Sequence, residues 1–193
     1  MRDGDAIDGD KNSDRQRYPL RLTDEGLIEG VRYLASPNCD ARPAATRIEL
    51  IVVHNISLPP RSFGGSGIVD LFLNRLAPDA HPYYAGIAHL RVSAHFLIRR
   101  DGELLQFVPC ELRAWHAGVS SWRGRERCND FSIGIEIEGA DDVSFDDAQY
   151  QRLCELIAVL RARYPISEVT GHSDIAPGRK TDPGPAFDWE RIN

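Results

Sequence analysis

The spacing of apolar and polar positions changes period several times along this chain, and each change marks an element. Ile48-Glu49-Leu50-Ile51-Val52-Val53-His54 is a β-branched run whose two faces are both apolar near its end. Such a run predicts a central strand, and this one ends on a histidine. Pro59 and Pro60 then stop further pairing. Behind Gly64-Gly65-Ser66-Gly67, the positions Ile68, Leu71, Phe72 and Leu76 recur at helical spacing. Apolar runs over residues 93–100 and 103–108 flank Asp101-Gly102, a strong hairpin signal. Phe131, Ile133, Ile135 and Ile137 alternate with Ser132, Gly134, Glu136 and Glu138. One face of that strand belongs to the core. The other lifts two carboxylates above a floor of small residues, where a ligand can come close. Tyr150, Leu153, Cys154, Ile157 and Leu160 form the stripe of a second helix, with Ser144 as its cap, Asp146-Asp147 at its positive end and Pro165 closing it.

Residues 20–38 are only weakly periodic and predict at most a short helix or turn near Thr23, draped over the body. Residues 77–91, rich in proline and aromatics, are too irregular for a long element and read as a functional loop, a lid that orders on binding. No repeat and no domain boundary follows residue 20. The order β, α, β-hairpin, β, α predicts one α/β (α+β) domain over residues 21–193, with a central mixed sheet flanked by helices.

Composition narrows the function. The chain has 193 residues, 42% hydrophobic and 27% charged, as expected of a soluble globular domain. Its net charge of −6 argues against nucleic-acid partners, and the lack of an apolar run of about 18 residues argues against a membrane span. Residues 1–20 carry no apolar stretch of the kind that drives export and read as a disordered extension. Cys39, Cys110, Cys128 and Cys154 are widely spread, with no Cys-x-x-Cys pair. Reduced thiols, a cytoplasmic location and a monomer are the expectations.

The candidate chemistry gathers in residues 171–185, Gly-His-Ser-Asp-Ile-Ala-Pro-Gly-Arg-Lys-Thr-Asp-Pro-Gly-Pro. So many Gly and Pro residues are expected to hold neither a helix nor an inner strand. His172 and Asp182 lie on the two sides of a Pro/Gly turn, so that a cation can draw the loop's ends together, with Lys180 pointing into the same hollow. Adding His54 gives two histidines and one carboxylate, a set that suits a catalytic Zn²⁺ with its fourth position open. A carboxylate such as Glu136 or Glu138 can then move a proton from water to a leaving amine, and Lys180 can hold the charge that develops on a carbonyl oxygen. The plainer alternatives are a solvated strand face for the two glutamates and a surface lysine for Lys180.

Five segments carry a resemblance: residues 53–60 (Val-His-Asn-Ile-Ser-Leu-Pro-Pro), 87–95 (Ile-Ala-His-Leu-Arg-Val-Ser-Ala-His), 113–120 (Arg-Ala-Trp-His-Ala-Gly-Val-Ser), 124–136 and the 172–185 loop. From about residue 22 to the C-terminus the chain resembles the anhydro-muramyl-peptide amidases of peptidoglycan recycling. These are zinc amidases that share a fold with phage T7 lysozyme and the peptidoglycan-recognition proteins. The resemblance implies zinc on His54, His172 and Asp182, Glu136 rather than Glu138 as acid/base, and Lys180 as oxyanion partner. It implies substrate contacts at Asn55, Tyr83, Arg91, Trp115 and Arg127, and a muropeptide as the substrate. Two other kinds of relative compete: periplasmic or phage amidases acting on intact wall, and binding modules that keep the groove but lose a zinc ligand. This chain keeps all three ligands. It departs from the pattern in its N-terminal extension, in Ser173 where cysteine is also found, and in a short tail after Trp189.

Overall fold

Strand β3 (Leu50–Ile56) lies between two parallel neighbours, β9 (Ser132–Glu138) and β10 (Glu168–Gly171), in a six-stranded mixed sheet of order β1-β5-β4-β9-β3-β10. The computed structural model describes residues 19–192. The N-terminal extension expected over residues 1–20 therefore falls almost wholly outside the described residues. β1 is Arg32–Tyr33, and the hairpin strands β4 (Phe96–Ile98) and β5 (Leu104–Gln106) pair antiparallel around Asp101-Gly102 as the sequence predicts. Two ribbons complete the strands: β2 (Cys39–Ala41) with β6 (Leu112–Ala114), and β7 (Ser121–Trp122) with β8 (Arg125–Glu126).

The continuous apolar run of β3 follows from burial on both sides. Ile51 and Val53 join Ile133, Ile135 and Ile137 on one face, under helix α2 (Asp147–Arg163), which supplies Leu153, Leu156, Ile157 and Leu160. On the other face Leu97, Leu105 and Phe107 pack against α1 (Gly67–Phe72) through Ile68, Leu71 and Phe72. That second face is left uncovered toward the carboxyl ends of β3, β9 and β10, where ligands of parallel sheets are usually held. The β3–β9 register sets His54 opposite Glu136. A histidine and a carboxylate thus stand side by side on adjacent buried strands.

Several expectations change. α2 is capped by Asp146, not Ser144, and Gln149 Oε1 accepts the Asp146 N–H at 3.0 Å. Phe145 is the cause: its ring is drawn inward against Tyr150 and Phe187, a hydrophobic staple that keeps the backbone extended two residues longer. Leu156, absent from the expected stripe, is fully buried, whereas Cys154 is only partly so. Residues 20–38 form no helix; an isolated bridge joins Leu22 to Ile28 across a turn at Gly26, which has φ of 81°. The 171–185 stretch does contain regular structure. It begins at the end of β10 and continues as α3 (His172–Ile175), a single helical turn. Asp174 makes this possible by accepting the Gly171 N–H at 2.9 Å and the Thr170 hydroxyl at 2.8 Å. Among the described residues all four cysteines are free thiols, and no helix is long and apolar enough to cross a membrane.

Candidate metal centre and its cleft

His54 Nδ1, His172 Nδ1 and Asp182 Oδ2 form a triangle with sides of 2.9, 3.0 and 3.0 Å. Three elements bring them together: a central strand, the first residue of α3, and the loop beyond it. The loop is fixed at its base. Asn55 Nδ2 donates to Pro183 O at 3.0 Å and to Asp141 Oδ1 at 2.6 Å. Gly184 lies so close to Asp141 that a Cβ there would come within 2.3 Å of the Asp141 Cα.

The outward ring nitrogens show which atoms carry protons. His172 Nε2 lies 3.1 Å from the carbonyl oxygen of Ala117, which can only accept, so the proton sits on Nε2 and Nδ1 presents a lone pair. Arg179 holds that carbonyl in place by donating to it at 2.7 Å. His54 Nε2 lies 2.9 Å from His116 Nδ1. Burial pushes the His54 imidazole down to about 4, so it is neutral at physiological pH. A neutral imidazole lone pair and a carboxylate oxygen 3.0 Å apart are two acceptors facing one another. A cation satisfies them, and two histidine nitrogens plus one carboxylate is a donor set for a borderline metal such as zinc.

Glu136 and Lys180 line the same cleft, of about 580 Å³, as these three residues. Glu136 Oε2 is buried and has no hydrogen-bond partner among the described residues. Burial, reinforced by the nearby Asp182 carboxylate and opposed by Lys180, raises its pKa well above the ordinary glutamate range. Glu138, its equal in the sequence pattern, is spent elsewhere: it is 1% exposed, pairs with Arg99 at 2.8 Å and accepts the Gly64 N–H at 2.7 Å. The cleft's opposite wall is apolar, built from Ile56, Leu58, Phe72, Ile87, Leu90 and Val92, with Tyr83 half exposed at its edge.

Asn55 and Tyr83 line this cleft. Arg91, Trp115 and Arg127 do not. Arg91 turns back onto the carbonyls of Ala88, His89 and Leu90, and Trp115 Nε1 donates to Asp40 at 3.2 Å. Arg127, largely exposed and 3.3 Å from Asp130, borders a separate hollow with Gly118, Val119 and Arg179. The sequence pattern gives no sign of the Arg179–Ala117 or Asn55–Pro183 contacts, since both act on backbone carbonyls that no motif displays.

Across residues 44–185 the chain matches the family model described as N-acetylmuramoyl-L-alanine amidase. The chain belongs to this amidase family. Among the amidases, the 1,6-anhydro-N-acetylmuramyl-L-alanine amidase AmpD of Citrobacter freundii is 60% identical over 173 residues, covering 89% of this chain and 92% of the relative. A crystal structure of a selenomethionine derivative of AmpD superposes with a TM-score of 0.86 at 61% identity, covering 89% of this chain and 97% of that one. The Escherichia coli amidase AmiD, solved with anhydro-N-acetylmuramic acid-L-Ala-D-γ-Glu-L-Lys, is 32% identical with a TM-score of 0.55, covering 90% of this chain and 64% of that one. The amidase fold is thus the mixed α/β sheet that the strand pattern predicts, and the family is metal-dependent; His54, His172 and Asp182 are a group that could hold such an ion.

One expected result concerns stability. His95 is fully buried: Nδ1 accepts the Gly134 N–H at 3.0 Å, Nε2 faces Leu112 O at 3.1 Å, and Arg42 lies alongside. Burial first, then Arg42, pushes it down to about 3. The unfolded chain takes up this proton near pH 6.5, whereas the native state refuses it until about pH 3. Stability is therefore lost as pH falls through that window. His54 and His116 act in the same sense, and the raised Glu136 opposes them. The melting temperature of metal-free protein should drop steadily from pH 7 to pH 4.5; a flat or rising profile would contradict this balance.

Proposed function

We propose that this chain is a zinc-dependent hydrolase of the amide between the lactyl group of 1,6-anhydro-N-acetylmuramic acid and the L-alanine of the stem peptide. It acts as a monomer in the cytoplasm on muropeptides returned from the wall. The observation that carries the reading is the donor triangle of His54, His172 and Asp182 beside a buried Glu136 oxygen that has no partner. When bound, zinc supplies Lewis-acid polarisation of the scissile carbonyl and makes water acidic enough to react near neutral pH.

The chain's own residues do the rest. Glu136, with its raised pKa, accepts the proton of the attacking water and delivers it to the alanine nitrogen as the C–N bond breaks. Burial raises its affinity for the proton above that of an exposed glutamate, which helps it hold the proton until the nitrogen takes it. Lys180 places a positive charge where the carbonyl oxygen becomes negative. The apolar wall and Tyr83 offer a surface for the faces of the sugar ring, and Asn55 Oδ1, without a hydrogen bond among the described residues, can accept from the substrate. Arg91, Trp115 and Arg127 make the outer contacts, an arginine gripping a stem-peptide carboxylate through two parallel N–H groups. By consuming anhydro-muropeptide the reaction would also lower a signal that induces β-lactamase.

The test compares two substrates. Soluble anhydro-muramyl-tripeptide should be cut to the free sugar and a peptide with a new L-alanine N-terminus, while turbidity of whole sacculi stays nearly constant. Rapid clearing of sacculi would instead mark an amidase of the intact wall. Tight binding without product would mark a recognition module.

A further inference from the structure

Resting on the reading of His54 as a metal ligand, we infer that His116 and Ser132 are positioning residues that hold the proton of His54 on Nε2 and leave Nδ1 bare for the ion. Three contacts in series connect His54 to the backbone. His54 Nε2 is 2.9 Å from His116 Nδ1, His116 Nε2 is 3.1 Å from Ser132 Oγ, and Ser132 Oγ is 2.6 Å from the carbonyl oxygen of Cys128. The last atom sets the direction of all the others. A carbonyl oxygen has no proton, so the Ser132 hydroxyl must donate to it. The Ser132 oxygen is then an acceptor and takes the N–H of His116 Nε2. A neutral imidazole carries one N–H, so His116 Nδ1 is bare and accepts from His54 Nε2. With its proton committed there, His54 turns a lone pair toward Asp182 and His172.

Without this chain the opposite tautomer is favoured. His54 Nδ1 lies 3.0 Å from the Asp182 carboxylate, and a proton between them would make a charge-assisted hydrogen bond. An incoming ion would first have to break that bond and move the proton. The chain removes this competitor before the ion arrives.

The surroundings are built to keep the relay in line. The His116 ring lies directly on Gly134: a Cβ at that position would come within 2.4 Å of His116 Cγ and 2.6 Å of Nδ1. Asn129 Oδ1 accepts both the His116 and Ala117 backbone N–H groups, at 3.2 and 2.8 Å. His54, His116 and Ser132 are 2, 9 and 0% exposed, so water does not replace a missing link. The same loop serves both histidine ligands, since Ala117 O takes the Nε2 proton of His172.

Outer partners of metal-bound histidines are typically worth about 10–100-fold in metal affinity. His116→Phe keeps a ring of similar size and removes the acceptor, and His116→Asn restores an acceptor near the Nδ1 position. Zn²⁺ affinity of the metal-free proteins, measured against a competing chromophoric chelator, should weaken by about 10–100-fold in His116→Phe, by less in Ser132→Ala, and should largely recover in His116→Asn. Long-range ¹H–¹⁵N spectra of the metal-free protein should show His54 protonated on Nε2 in the wild type and on Nδ1 in His116→Phe. The wild-type spectrum needs no variant to fold: His54 protonated on Nδ1 there overturns the inference. So does a folded His116→Phe that binds Zn²⁺ as tightly as wild type. A wild-type protein that binds no Zn²⁺ at all would instead overturn the metal-site reading.

Discussion

Glu136→Ala should retain its zinc and lose about 10²–10⁴-fold in kcat. None of the three donor atoms belongs to Glu136, so metal content is unaffected, while the group that moves the proton is gone. Little change in KM is expected, because the carboxylate sits at the reacting end of the cleft and the apolar wall and Tyr83 lie across from it. Glu136→Gln separates charge from shape: it fills the same space without a basic oxygen and should be as inactive as the alanine variant. Metal analysis and steady-state kinetics on anhydro-muramyl-tripeptide decide it. A Glu136→Gln enzyme with more than a tenth of wild-type kcat would remove this residue from the proton's path.

Stripping the metal should abolish turnover, and stoichiometric Zn²⁺ should restore it. Stability should follow. An ion present at 1,000 times its dissociation constant stabilises the native state by about 4 kcal/mol. For a domain of this size that corresponds to a rise in Tm of roughly 8–16 °C. Asp182→Ala should show neither effect, because two imidazoles without the carboxylate are a poor site. The metal-free variant should melt no lower than metal-free wild type, since removing Asp182 also removes an anionic oxygen 3.0 Å from two ring nitrogens. Scanning calorimetry with and without Zn²⁺ checks both statements. A Tm for Asp182→Ala that rises with zinc as the wild type does would exclude Asp182 as a ligand.

How much of this was legible in the sequence depends on how local each cause is. β3 and β9 could be read directly, because a strand buried on both faces and a strand with one polar face leave different patterns. The hairpin was announced by its turn. β10 was not, because four residues, Glu168 to Gly171, become a strand only through pairing with β3. The cap of α2 is not decided locally, because Ser144 and Asp146 are both good caps, and the choice lies with Phe145 packing in the core. In the candidate site, His54, His172, Asp182 and Lys180 stood out by context. Glu136 and Glu138 were locally equivalent; they separate in space because Arg99 and the Gly64 N–H claim the second. The small-residue floor of β9 predicts room for a ligand. At Gly134 that room is filled by the chain's own His116, a contact between residues whose sequences carry no mark of each other.

Asn55 follows His54 directly, and the two side chains serve different ends of one structure: the histidine faces Asp182, and the amide holds the backbone just beyond it at Pro183. Both depend on the alignment that sets His54 against Glu136. If β3 slid by one position against β9, every side chain on it would exchange faces. The imidazole would turn beneath α2, the proton carrier would lose its neighbour, and the tether of the loop would come free in the same step. The centre is therefore inherited as a strand alignment as much as a set of side chains, and a perturbation of β3 pairing far from any ligand should silence it all at once.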